Sequence, residues 1–257
     1  MKITHFVTAL AVTALAGAFS PFASAQAAAP VEAHNVVLVH GAWADGSSWA
    51  EVIPYLQAAG LKVTAVQNPL TSLEDSVAAT RRALALLDGP TVLVAHSWGG
   101  TVISETGTDP KVTALVYVAA RGPDAGEDFV ALSGKFPTGP VRAGIQEHEG
   151  FTKLSEESFL KYFANGVEPR KAKVLYAVQE PTAVSLFGGR TTAVAWRSKP
   201  SWYAVSKQDQ TINPDLERFL ARRMNATTIE LDAGHLSLVS HPKEIANLIL
   251  AAAGHKE

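Results

Sequence analysis

Ser97 lies in the stretch Thr91-Val92-Leu93-Val94-Ala95-His96-Ser97-Trp98-Gly99-Gly100, where an apolar run enters a small-x-Ser-x-Gly turn. Strand, tight turn and helix in that order form a nucleophile elbow, a turn so sharp that side chains flanking the serine would collide. The turn strains the serine backbone and presents its hydroxyl. Ala95 stands where the pattern usually carries Gly, and it too is small. A serine in such a turn can be a simple helix cap. The apolar run before it and the helix pattern after it favour the nucleophile.

A serine hydroxyl is inert at neutral pH until an imidazole takes its proton and an acid fixes that imidazole's tautomer. Of the eight histidines, His235 follows the last β-branched run, in Leu231-Asp232-Ala233-Gly234-His235. His5 falls in the N-terminal apolar segment, His255 in the tail and His148 in an irregular stretch. His96 should point away from Ser97 by strand alternation and reads as packing, and His241 heads the final helix. The acid is expected at Asp209, directly after the run Ser201 to Ser206, giving the chain order Ser, Asp, His. Asp124 and Glu127, after the fourth run, are its rivals, and Asp232 is too close to His235 along the chain. Two backbone donors complete the chemistry: the N–H groups of Ala42 and Trp98 are placed to receive an oxyanion, with His40 bracing the loop and Gly41 allowing close approach.

These groups need a frame. Six β-branched runs, Asn35 to His40, Lys62 to Gln67, Thr91 to His96, Val112 to Ala119, Ser201 to Ser206 and Thr227 to Leu231, alternate with helical patterns. The helices are expected over Trp49 to Ala59, Leu73 to Leu87, Trp98 to Thr106, Asp215 to Arg223 and Glu244 to Ala252. This alternation predicts an α/β fold with a mostly parallel, doubly wound sheet of about six strands. The rhythm breaks from about 121 to 199, a segment punctuated by Gly and Pro that contains the helical stretch Ser155 to Phe163. It reads as an inserted helical lid over the carboxyl ends of the strands, where such sheets bind ligands.

The chain has 257 residues, 47% hydrophobic and 18% charged, a formal net charge of -2 and no Cys. That suits one large domain with its own core, spanning 34–257. Disulfides and thiolate chemistry are excluded, and scattered Lys and Arg give no surface for nucleic acid or anionic lipid. No His/Glu spacing of a metal site occurs, so neither metal nor cofactor is expected. Lys2, the apolar run Phe6 to Phe19 and the ending Ala23-Ser24-Ala25 read as a signal peptide over 1–25, followed by a flexible mature N-terminus over 26–33. The run is shorter than a membrane span. Export to the periplasm or medium is the expectation.

With these residues in view, the chain resembles the esterase and hydroxynitrile-lyase branch of the α/β-hydrolase superfamily over nearly all of residues 34 to 253. The resemblance rests on His40-Gly41-Ala42-Trp43, on Ala95-His96-Ser97-Trp98-Gly99-Gly100, and on Lys207-Gln208-Asp209-Gln210 followed by Gly234-His235. The lyases of that branch carry Thr in place of the Gly of the His-Gly pair and Lys after the histidine. Gly41 and Leu236 match the esterases instead. The resemblance implies a serine esterase acting on small or medium-sized, partly apolar esters. Lyase-like, lactonase or perhydrolase chemistry in the same site, or a non-catalytic binding protein of this fold, are the alternatives. Trp43, Phe129, Phe159, Tyr162, Phe163, Phe187 and Trp196 are expected to build the pocket, and an aromatic pocket favours apolar over charged groups.

Overall fold

The computed structural model describes Met1 and residues 32–255. The expected signal peptide, apart from Met1, and residues 26–31 of the expected flexible segment lie outside the described residues. At 33 that segment is corrected: Ala33 is fully buried, and its N–H donates to the Ala253 carbonyl at 2.9 Å.

Among the described residues nine strands are formed: β1 (Asn35–Val39), β2 (Lys62–Val66), β3 (Thr91–His96), β4 (Val112–Val118), β5 (Ile145–His148), β6 (Phe151–Leu154), β7 (Thr182–Ala183), β8 (Ser201–Ser206) and β9 (Thr227–Leu231). The helices are α1 (Ile53–Ala58), α2 (Leu73–Ala85), α3 (Gly99–Thr106), α4 (Phe129–Ser133), α5 (Glu156–Ser158), α6 (Pro169–Ala177), α7 (Pro214–Arg223), α8 (Ser237–Ser240) and α9 (Pro242–Ala252). The six predicted strands make one parallel sheet in the order β2-β1-β3-β4-β8-β9. Every residue of β1, β3 and β8 is buried, because helices cover both faces; the edge strands β2 and β9 are largely exposed or half-buried. That burial explains the continuous apolar runs.

Strand order decides where a ligand can sit. From β1 the chain crosses to β2 on one side, then returns past β1 to β3 on the other. The loops after β1 and β3 therefore diverge, leaving a crevice at their carboxyl ends. Both the His40–Trp43 loop and Ser97 open into it.

The segment between β4 and β8 holds the expected helical stretch as α5 and a following π-turn over Phe159–Phe163. The helical lid expected from sequence is corrected in part: within it β5, β6 and β7 form a three-stranded antiparallel sheet. Glu149 and Gly150, with φ of 49° and 79°, turn the β5–β6 hairpin, the backbone that a two-residue primed turn requires. This small sheet reaches the crevice. The Trp43 N–H donates to Thr182 Oγ1 at 3.0 Å, and its indole N–H donates to Thr152 Oγ1 at 3.1 Å.

Candidate active site

Ser97 follows β3 with φ of 54°, a left-handed conformation that costs a non-glycine residue about 1–3 kcal/mol. The strain is held by the neighbours. The Ser97 N–H donates to the Val118 carbonyl at 3.2 Å, and the Ser97 carbonyl accepts from the Arg121 N–H at 2.9 Å. Close approach dictates the glycines. A Cβ on Gly41 would lie 2.6 Å from Ser97 Cβ, and one on Gly100 would strike the Arg121 carbonyl.

From this elbow the hydroxyl reaches His235, whose Nε2 is 2.9 Å from Ser97 Oγ. His235 Nδ1 lies 2.6 Å from Asp209 Oδ2. An ionised carboxylate only accepts, so Nδ1 carries the proton and Nε2 is free to accept from the serine. Asp209 is itself fixed: its Oδ1 accepts the N–H groups of Thr211 and Ile212 at 2.6 and 2.9 Å. His235 and Asp209 are buried, and Ser97 is 6% exposed at the cavity wall.

The rival acids are engaged elsewhere. Asp124 pairs with Arg197, whose hydrogen bond holds its carboxyl below the usual carboxylate range. Glu127 pairs with Arg223 at 2.8 Å, and Asp232 with Lys207 at 2.7 Å.

Ala42 and Trp98 line the same cavity, and neither backbone N–H donates a hydrogen bond among the described residues. Unpaired backbone N–H groups favour an anion. The loop carrying Ala42 is braced by His40. Its Nε2 accepts the Asn68 N–H at 2.9 Å, so Nδ1 holds the proton and donates to the Gly41 carbonyl, also at 2.9 Å. Burial pushes the His40 pKa down, which keeps the ring in this neutral form.

Sequence reasoning under-read His96. It does turn away from Ser97, but its Nε2 donates to the His235 backbone carbonyl at 3.0 Å, and the two rings stand 4.6 Å apart. Burial first, then the proximity of His235, hold His96 well below the ordinary histidine pKa, so it serves as a neutral brace. Glu217 was missed altogether. This buried carboxyl on α7 accepts the Ser206 N–H at 3.0 Å, just before the Asp209 turn. Strand alternation and helix amphipathicity carry no signal for either role.

Of the seven expected pocket aromatics, Trp43, Phe129 and Phe187 line a cavity of about 260 Å³ that opens on Ser97. Phe159 and Phe163 instead border a smaller cleft behind Trp43, and Phe163 packs its ring 5.1 Å from that of His235. Tyr162 contacts neither and lies beside Lys161. Trp196 is a structural residue at the base of the insertion: its indole N–H donates to the Pro123 carbonyl at 2.9 Å. These four are corrections, since aromatic content alone does not tell which rings fill the core beneath an insertion. The cavity also holds two charged residues that sequence reasoning did not single out, Arg121 and Arg142.

A six-stranded parallel sheet with a serine elbow at its switch point defines the class, and the profile of the alpha/beta hydrolase family matches residues 36–248. The chain belongs to that family. Among similar proteins, methylesterase 2 of Arabidopsis thaliana is 25% identical over 85% of this chain and 95% of its own. The carbendazim hydrolyzing esterase of Nocardioides sp. is 35% identical over 45% of this chain and 57% of its own. The crystal structure of polyneuridine aldehyde esterase shares the fold, with a TM-score of 0.73 at 18% identity, covering 85% of this chain and 98% of that one.

Proposed function

We propose that this chain is a serine ester hydrolase that cleaves small or medium-sized, partly apolar carboxylic esters through an acyl-enzyme on Ser97. One observation carries the reading: Ser97 Oγ, His235 and Asp209 form an unbroken relay at 2.9 and 2.6 Å, beside two unengaged amides. Ser97 Oγ attacks the ester carbonyl carbon while its proton passes to His235 Nε2. The carbonyl oxygen, now anionic, is received by the Ala42 and Trp98 N–H groups, each such donor being worth about 10² to 10³ in rate. The intermediate collapses, the alcohol leaves with the proton from His235, and water repeats the sequence to release the acid. Relatives named as esterases support hydrolysis over the lyase alternative. Gly41 and the apolar, buried Leu236 after His235 support it too.

A panel of p-nitrophenyl esters of increasing acyl length tests this reading. Wild type is expected to cleave the short and medium members, and Ser97→Ala to lose at least about a thousandfold in kcat. Retained turnover in Ser97→Ala would refute it. We also infer export, supported by the charged start, apolar run and Ala23-Ser24-Ala25 ending of the first 25 residues. No helix among the described residues is long and apolar enough to cross a membrane. The intact mass of the natively expressed protein checks this: a chain starting at Gln26 supports export, and a retained Met1 contradicts it.

A further inference from the structure

We propose that the cavity beside Ser97 selects esters bearing a second, anionic group, a carboxylate, and that Arg121 binds it. The inference rests on the ester-hydrolase reading and names its substrate class. It departs from the apolar preference that the aromatic residues alone suggest.

Arg121 is fastened beside the nucleophile by its backbone, whose N–H donates to the Ser97 carbonyl at 2.9 Å. Its guanidinium lines the cavity, held between two aromatic rings, 4.8 Å from the Phe129 centroid and 5.2 Å from that of Phe187. Cation–π contacts of this kind hold the guanidinium without using its N–H donors. Among the described residues those donors make one contact, a 3.5 Å bond from Nη1 to the Phe187 carbonyl. Arg190, Arg197, Arg218 and Arg223 each hold a carboxylate, whereas among the described residues no carboxylate lies within salt-bridge distance of Arg121. Among the described residues, Arg142 is the only other charged residue on the cavity wall, and no acidic residue lines it.

The wall is therefore positive and uncompensated. Burial, then repulsion from Arg142, pushes the Arg121 pKa down to about 10, which leaves it charged at neutral pH. A half-buried cation without a partner is less favourable for the empty site than one paired with an anion. A substrate carboxylate relieves that cost and matches the guanidinium fork with two parallel hydrogen bonds. The reacting carbonyl must sit at Ser97, so the carboxylate belongs to the far end of the same small molecule.

The test compares 4-nitrophenyl hydrogen adipate with 4-nitrophenyl hexanoate, which share leaving group and chain length and differ by the terminal carboxylate. Wild type is expected to favour the adipate by at least about tenfold in kcat/KM, mostly through KM. Arg121→Gln should bring the ratio to about one, Arg142→Gln should lower it partly, and Arg121→Lys should keep more of it than the Gln variant. Equal or better use of the hexanoate by wild type would overturn the proposal while leaving ester hydrolysis intact. So would an adipate preference that both Gln variants retain. A second readout needs no turnover: adipate should raise the thermal midpoint of wild type above that in sodium chloride of equal ionic strength, and not that of Arg121→Gln. If neither ester is cleaved, the hydrolase reading fails, and this shift alone decides the anion site. Absence of the shift refutes it. Should Arg121→Gln not fold, the wild-type ratio and Arg142→Gln still decide.

Discussion

Asp209, Asp124, Glu127 and Asp232 are all acids in the loops that follow strands, and their surroundings separate them. Asp209 is buried with both oxygens occupied, one by His235 and one by two backbone N–H groups. Asp124 holds Arg197 at the entry to the insertion. An asparagine at the acid position keeps the shape but favours the wrong imidazole tautomer, which in a serine protease triad costs about 10⁴ in turnover. Asp209→Asn is therefore expected to lower kcat on an activated ester by at least about a hundredfold with little change in KM, and Asp124→Asn by less than about tenfold. The reverse ranking would move the acid to the end of β4. The juxtaposition of Ser97, His235 and Asp209 was legible in sequence because each lies within four residues of the carboxyl end of a strand of the parallel sheet. Arg121 was less so: its position after β4 is visible in sequence, but its lack of a counter-ion is a property of the folded cavity. His96 shows the same limit. Alternation tells which way its side chain leaves β3, and says nothing of the His235 loop that crosses that face.

Elements were read best where both faces are covered. β3, β8 and β9 fall on their expected bounds, and β1, β2 and β4 end one residue early. The helix expected over Trp49 to Ala59 splits into a 3₁₀ turn over Gly46–Trp49 and α1, where Pro54 lies in the first turn and supplies no N–H. The β5–β6 hairpin escaped because its strands are four residues long and those of β5 are all exposed, so no apolar run marks it. Helix α7 carries a feature with a measurable sign. Burial and then the charge of Asp209 push the Glu217 carboxyl well above its ordinary 4.5. Its contribution to stability is full below 4.5 and is lost as pH rises, because the unfolded chain releases the proton first. His40 and His96 act oppositely: their lowered pKa values give stability that is full above 6.5 and lost as pH falls. Glu217→Gln, neutral and of similar shape, is expected to raise the thermal midpoint near pH 7 and flatten the alkaline decline, leaving the acid-side fall in place. A lower midpoint at pH 7 with the wild-type slope retained would contradict this.

At the scale of the molecule, the sheet order positions the site. It sets the β1 loop, the β3 elbow and the loops after β8 and β9 around one crevice, so Ser97, Asp209 and His235 meet within hydrogen-bond distance and Ala42 lines the same cavity. The insertion completes the site from above: β6 and β7 hold Trp43 through Thr152 and Thr182, while α4 and the 3₁₀ turn over Val184–Gly188 bring Phe129 and Phe187 to Arg121. The general architecture followed from alternating strands and helices, whereas the insertion's internal pairing depends on long-range contacts that short polar strands do not announce. The most direct test of the central claim is peptide mass spectrometry of the native protein after brief treatment with a fluorophosphonate, which only a base-activated serine attacks quickly. A single adduct is expected, on the peptide containing Ser97, that disappears in Ser97→Ala; an adduct elsewhere, or one that persists in that variant, would refute Ser97 as the nucleophile.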